Sequence, residues 1–253
     1  MNTKKIALIT GGSRGLGKDM ALKLAKKGID VIITYLSNEQ LANEVVATIQ
    51  ESGQKAKAFQ LDVGNTKGFE DFFNQLSTFL NNEYGNPNFD FLINNAGTGI
   101  NQSITDTSEE QFDTMLNIHF KGVYFLTQKA LPFINNQGSI VNISSGLTRF
   151  SFPGMSAYAC MKGAIEVFSR YLAKELGSRK ITSNVVAPGA IATDFGGGSN
   201  RDSQEKRLII SNMTALGNVG EAEDIGGVVA FLCTNEARWV NGQRIEVSGG
   251  MLL

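Results

Sequence analysis

The chain reads as short runs of apolar and β-branched residues, separated by longer stretches in which apolar positions recur every three or four residues. The runs predict strands at 5–10 (KIALIT), 30–35 (DVIITY), 55–63 (KAKAFQLDV), 89–94 (FDFLIN), 138–144 (GSIVNIS), 181–187 (ITSNVVA) and 243–248 (QRIEVS). Between them the helical period predicts helices near 15–28, 38–52, 66–82, 108–135, 155–178 and 221–234. Several strands are apolar on both faces, as parallel strands covered by helices on each side are. The repeated β–α–β order predicts an α/β fold, a doubly wound Rossmann sheet of the seven strands above, in one domain over residues 1–253. The alternation breaks at 194–216, where three glycines and a polar stretch follow a strand. A mobile lid over the substrate is expected there.

Composition narrows the class. With 42% apolar residues among 253, the chain can bury a full core, which excludes disorder. Lys and Arg number 23 against 24 Asp and Glu, a balance that speaks against a nucleic-acid partner. The absence of a long apolar run speaks against a membrane partner. The start, MNTKKIALITGG, has no secretory leader pattern. Cys160 and Cys233 are far apart and form no CxxC, so no disulfide framework or metal site is expected and the cytoplasm is the natural compartment. Glycine is the anomaly: 28 residues, about 11% against about 7% in average proteins.

Part of that glycine has a chemical reading. In TGGSRGLG, Thr10 ends the first strand, and Gly11, Gly15 and Gly17 lead into a helix with Ser13, Arg14 and Leu16. A turn without β-carbons lets backbone N–H groups and the helix N-terminus approach a pyrophosphate. NAD-binding units carry a carboxylate near the end of the second strand, for the ribose hydroxyls. Here that place holds Tyr35, Leu36, Ser37 and Asn38. Arg14, Ser37 and Asn38 could instead meet a 2′-phosphate, so NADP(H) is favoured over NAD(H).

Tyr158 and Lys162 lie four apart on a predicted helix and project from one face. A phenol exchanges protons poorly at neutral pH unless nearby positive charge favours its ionised form, and Lys162 supplies that charge. Ser145 follows the strand SIVNIS at the sheet edge where such folds carry ligands, and its hydroxyl can hold a substrate oxygen. Ser144 competes for that role; strand alternation favours Ser145.

Taken together, these motifs resemble the short-chain dehydrogenase/reductase family over nearly the whole chain. Thr10, Gly11, Gly15 and Gly17 match its TGxxxGxG. Asn94, Asn95, Ala96 and Gly97 match its NNAG, and LDV puts Asp62 and Val63 beside adenine. PGAIAT matches PGxxxT, so Pro188, Gly189, Ile191 and Thr193 would hold the nicotinamide. The resemblance implies a catalytic tetrad of Asn117, Ser145, Tyr158 and Lys162, with Asn117 anchoring a proton relay. It implies hydride transfer between NADPH and a ketone or secondary alcohol, and a homotetramer built on the helices at 108–135 and 155–178 and the last strand. Asn241 and Ser248 depart from the family's C-terminal pattern without touching the chemistry.

The residues after the catalytic strands outline a substrate pocket of Leu147, Phe152, Met155, Ala190 and Phe195, with Thr98 and Phe150. It suits an uncharged ketone with hydrophobic substituents. Arg149 is expected to receive a carboxylate or face solvent. The rival substrate class is a 3-oxoacyl thioester on an acidic carrier protein, for which Arg179 and Lys180 are the nearby basic pair. The rival of another class is a non-catalytic dinucleotide sensor. His119 is assigned to packing, since two residues along a helix turn it from Asn117's face. Cys160 and Cys233 are read as packing residues, Trp239 as a packing residue or, second, a contact to a partner chain, and the apolar terminal Met-Leu-Leu as an end docked on a neighbouring subunit.

Overall fold

Parallel strands need a helix between each pair, and the chain supplies them in that order. In the computed structural model, which describes residues 4–253, the elements begin β1 Ile6–Ile9, α1 Gly15–Lys26, β2 Asp30–Tyr35, α2 Glu39–Glu51, β3 Ala56–Gln60, α3 Phe69–Tyr84 and β4 Phe89–Asn94. They continue as α4 Glu109–Leu116, α5 Gly122–Ala130, β5 Ile134–Ile143, α6 Ser156–Glu175, β6 Thr182–Pro188, α7 Ser199–Asp202, α8 Gln204–Asn212, α9 Glu223–Leu232 and β7 Arg244–Val247. One sheet in the order β3-β2-β1-β4-β5-β6-β7 contains all the strands, and every pairing in it is parallel.

The two-sided apolar strands serve two cores. On β1, Ala7 and Ile9 face one layer, with Met20 and Leu24 of α1, Ile49 of α2 and Val229 of α9. Ile6 and Leu8 face the other, with Phe69 and Leu76 of α3, Leu126 of α5 and Leu172 of α6. Strand order reverses between β1 and β4, whose neighbouring connections run to opposite faces. A crevice therefore opens at the C-terminal ends of these strands, where such sheets bind ligands.

The predicted helix at 108–135 is three pieces. Ser108 and Gln111 form a capping box on α4, a π-turn occupies Asn117–Lys121, and α5 follows. Gly122 fits there because a β-carbon would lie 2.0 Å from the Val63 carbonyl oxygen. Pro132 has no N–H to continue α5, and β5 starts at Ile134, where a helix was expected. The stretch at 194–216 is also more ordered than its composition implied. A turn at Phe195–Gly198 leads into α7, then α8, which Ser203 caps by accepting from the Lys206 N–H.

Two packing expectations fail. Trp239 is 94% exposed and covers nothing in its own chain. Cys160 is exposed on α6, while Cys233 is buried. At the terminus Met251 is buried within its own subunit and the Leu252 N–H donates to the Met213 carbonyl, while the side chains of Leu252 and Leu253 are exposed. Apolar side chains mark a buried face only where another element covers that face.

Gly122→Ala should destabilise the protein by about 2 kcal/mol, because overpacking against Val63 outweighs the roughly 1 kcal/mol of helix propensity that alanine adds. Urea unfolding of the two proteins checks this through the shift in midpoint.

Candidate active site

The dinucleotide half of the crevice begins where β1 ends. Gly11 takes φ +67°, and the loop passes so close to α1 that a β-carbon on Gly17 would lie 2.1 Å from the Gly11 carbonyl oxygen. Arg14 occupies the N-cap of α1 in an extended conformation, makes no capping hydrogen bond, and is followed by no acidic residue in the first turn. The first N–H groups of α1 are therefore left for an anion from outside the chain. The Arg14 guanidinium is itself 3.7 Å from Asp194 across the crevice.

The structure brings most of the predicted cofactor residues to one cavity of about 970 Å³: Gly11, Ser13, Arg14, Gly15, Leu16 and Gly17 from the loop, and Tyr35, Ser37 and Asn38 after β2. Asp62, Val63, Asn95, Ala96 and Gly97 line it further along, and Pro188, Gly189, Ile191 and Thr193 close its far end. Thr10 does not line it. Its buried hydroxyl accepts from the N–H groups of Asn95 and Ala96, both at 3.0 Å, and so joins β1 to the segment after β4. Asn38 is partly committed as well. Its Oδ1 caps α2 by accepting from Leu41, which leaves the amide nitrogen to donate. No carboxylate stands at the end of β2, where Leu36 is exposed.

The catalytic half is built on β5 and α6. Lys162 Nζ donates to the Ile143 carbonyl at 2.7 Å and lies 5.6 Å from the centre of the Tyr158 ring, one helical turn before it. Ser145 follows β5 in extended backbone, with its hydroxyl accepting from the Leu147 N–H and lying on the Tyr158 side of the cavity. Burial lowers Lys162 to about 8. Burial also raises the Tyr158 phenol above its ordinary value, against the smaller opposing pull of Ser145. Ser144 is not the partner of Tyr158: its hydroxyl donates to Glu166 at 2.8 Å.

Asn117 does not stand with these three. It is half-buried on the π-turn and outside the cavity lining. His119 stands there instead, fully buried, with its ring edge-on to Tyr158 at 5.0 Å. The two-residue offset that was to turn His119 away from the site does not do so: His119 lines the cavity and Asn117 does not. Sequence reasoning lacked the π-turn, which gives no signal in apolar spacing.

The expected substrate residues Leu147, Phe152, Met155, Ala190 and Phe195 line the same cavity, with Thr98 and Phe150. The Phe195 ring centre is 5.5 Å from that of Tyr158, which brings the segment before α7 beside the phenol. Ile100 and Met251 also line the cavity and were not anticipated. Arg149 neither faces solvent freely nor waits for a ligand carboxylate. It forms a two-pronged pair with Glu246 at 2.7 and 2.9 Å and donates to the carbonyls of Met251 and Leu252.

The uncapped α1 terminus, the glycine cradle and the neighbouring phenol and ammonium fit a dinucleotide laid across the switch point of the sheet. Comparison with known proteins agrees. A family model described as enoyl-(acyl carrier protein) reductase matches residues 11–252. The tetrahydroxynaphthalene reductase PfmaG of Pestalotiopsis fici is 36% identical over 259 residues, covering 97% of this chain and 91% of that protein. The solved structure of the promiscuous reductase LugOII, which catalyses keto-reduction at C1 in lugdunomycin biosynthesis, is 38% identical over the whole of both chains with a TM-score of 0.94. The landomycin C-6 ketoreductase LanV, solved with NADP and rabelomycin, is 35% identical, with 99% and 97% of the two chains covered and a TM-score of 0.90. The chain belongs to the short-chain dehydrogenase/reductase family, and it is an oxidoreductase of the ketoreductase kind.

Lys162 also sets a stability test. Because its folded value, about 8, lies below its unfolded one, the penalty for burying the charge is complete below pH 8 and disappears as pH rises past the unfolded value. Relative to a Lys162→Met variant, cofactor-free wild type should therefore gain about 2 kcal/mol between pH 7.5 and 9.5. Urea unfolding of both proteins at the two pH values reads that difference; a constant gap would show that Lys162 is not held below its ordinary value.

Proposed function

We propose that this protein is an NADPH-dependent carbonyl reductase for ketones carried on a bulky apolar, aromatic body, with Tyr158 as the proton donor. The carrying observation is a phenol that burial keeps protonated, beside a serine hydroxyl and one turn from a buried ammonium, at the apolar end of a dinucleotide-shaped crevice. Gly11, Gly15 and Gly17 would hold the pyrophosphate, Asp62 and Val63 the adenine, Tyr158 and Lys162 the nicotinamide ribose, and Ile191 and Thr193 the carboxamide. The bound dinucleotide supplies the hydride that reaches the carbonyl carbon.

Ser145 donates to the substrate oxygen and fixes its place beside the phenol. Tyr158 keeps its proton in the resting site and passes it to that oxygen as negative charge develops there. The phenolate left behind is stabilised by the Lys162 ammonium, where burial of both side chains strengthens the attraction. In the reverse direction the same pair accepts the proton of an alcohol. The NADP preference is supported by Arg14, by the absence of a carboxylate after β2 and by the NADP bound to LanV. The aromatic substrate class is supported by Phe150, Phe152 and Phe195, and by the rabelomycin held by that relative.

Neither rival has a comparable feature behind it. Arg179 donates to the carbonyls of Leu131 and Ile134 and lines a separate depression with Lys4, Lys5 and Asp90, so it offers no basic collar for a carrier protein at the crevice mouth. A sensor would have no use for Ser145 placed beside Tyr158. We place the protein in the cytoplasm, as one domain in which 194–216 closes over the substrate, and as a homotetramer. Exposed Tyr124 and Phe125 on α5 and exposed Val167 and Tyr171 on α6 supply the apolar contact surface that such an assembly needs. Among the described residues, no helix is long and apolar enough to cross a membrane.

Tyr158→Phe should lower ketone turnover by about a hundredfold or more while leaving NADPH affinity near wild type, read by steady-state rates and cofactor fluorescence titration. Undiminished turnover would sink the mechanism. A panel of fused-ring ketones and 3-oxoacyl thioesters, assayed with both reduced cofactors, should show fastest turnover for the ketones with NADPH. Sedimentation at micromolar concentration should give a tetramer; a stable monomer would refute the assembly.

A further inference from the structure

The only histidine in the chain is fully buried, and packing alone does not account for it. His119 sits on the π-turn between α4 and α5, with its imidazole edge-on to the Tyr158 ring at 88° between planes. It also lies flush with Gly97, where a β-carbon would stand 2.7 Å from its Cε1. Its Nε2 is 2.7 Å from the Thr98 carbonyl oxygen and 3.4 Å from the Thr98 amide nitrogen. The shorter contact assigns the proton: Nε2–H donates to the carbonyl, which leaves Nδ1 as a bare acceptor. Nδ1 is buried and has no hydrogen-bond partner. Burial, followed by the neighbouring Lys162 charge, keeps the ring neutral by lowering it to about 3.

An unpaired nitrogen in the interior costs stability that an apolar ring of the same size would not. Packing would be better served by phenylalanine. What the imidazole has and phenylalanine lacks is a donor that ties the ring to the main chain. A ring hung from the Thr98 carbonyl has one orientation about its outer torsion, whereas an unbonded ring can turn. That fixed ring bears on Tyr158, which Phe195 contacts as well.

We infer that His119 is a positioning residue for the reduction, a neutral imidazole that braces the Tyr158 ring against the backbone of Gly97 and Thr98 and so sets the direction of the phenol. This role, which rests on the reading of Tyr158 as proton donor, joins the dinucleotide side of the crevice to the catalytic side through one ring. Displacing the phenol by even 1 Å takes it out of reach of the substrate oxygen and costs turnover rather than binding.

Because the chain has a single histidine, its ring nitrogens can be read directly by nitrogen-15 NMR of the whole protein. The expected signal is a neutral ring protonated at Nε2 that does not titrate between pH 8 and pH 5; a ring titrating near 6.5 would overturn the role. The kinetic arm uses His119→Phe, which keeps the ring and removes the donor, and His119→Gln, which places an amide nitrogen near the Nε2 position. His119→Phe should lose about tenfold or more in kcat, with the ketone KM and NADPH Kd within about twofold of wild type. His119→Gln should return kcat to within about threefold of wild type. Full kcat in folded His119→Phe overturns the inference, and so does folded His119→Gln as slow as the phenylalanine variant. If His119→Phe does not fold, His119→Gln decides alone: a loss of about tenfold or more overturns the inference and a loss within about threefold supports it. Tyr158→Phe in the same assays separates the two readings. If it stays active, the proton-donor reading fails; if it is inactive while His119→Phe is fully active, only the role of His119 fails.

Discussion

Lys162 is a charged amine enclosed by protein, and the site is arranged around it. Its Nζ donates to the carbonyl of Ile143, at the last residue of β5. Burial pulls it down to about 8, which still leaves it mostly protonated at neutral pH. The same desolvation acts with the opposite consequence on Tyr158, an acid whose ionised form is the one penalised. His119 is held neutral by burial and then by the Lys162 charge. Three titratable groups in contact thus carry one charge. The phenol keeps its proton, the imidazole refuses one, and in the proposed reaction the ammonium stabilises the phenolate that forms.

That charge is held in place by main chain. Ile143 belongs to the ladder between β5 and β6, so the acceptor that fixes Lys162 cannot drift without breaking the sheet. Beneath it, Asn142 accepts from Asn94 and donates to Ser169 of α6, which ties β4, β5 and the catalytic helix together at buried side chains. Thr10 does the same between β1 and the segment after β4. The strand ends are therefore cross-linked by hydrogen bonds within the layer just below the crevice. A dinucleotide would meet a floor that is already organised, which lowers the ordering cost of binding.

This hierarchy explains what was legible beforehand. Strands apolar on both faces can only be interior, so β1, β2 and β4 declared themselves, and with them the α/β class. The glycine loop was legible because no other residue tolerates that approach of Gly17 to Gly11. Thr10 was misassigned because a hydroxyl serves a ligand or a backbone N–H equally well, and spacing does not say which. His119 was read as turned from the site because an uninterrupted helix was assumed where a π-turn occupies Asn117–Lys121. Trp239 and Cys160 show the converse limit: apolar character describes a residue, not whether another element covers it. Arg149 pairs with Glu246, 97 positions away in the chain, and no local pattern carries that information.

That last pairing bears on what the pocket can accept. Arg149 and Arg244 share Glu246, Arg244 also holds Glu166, and Glu166 receives the hydroxyls of Ser144 and Thr148. Two guanidinium groups and two carboxylates cancel, and Glu246 falls to about 2, chiefly through its hydrogen bond from Arg149. Removing either partner would leave an uncompensated charge close to the backbone of Ser145, to which Arg244 also donates. With that cluster neutralised and Arg149 bound to the chain's own C-terminal carbonyls, the ammonium groups left in the lining are Lys162, buried beside Tyr158, and Lys206, which donates to Ser199. Leu147, Phe150 and Met155 offer a ligand carboxylate no cation, so under the proposed reading these walls favour apolar bulk while the Lys162 ammonium stabilises the phenolate as charge develops.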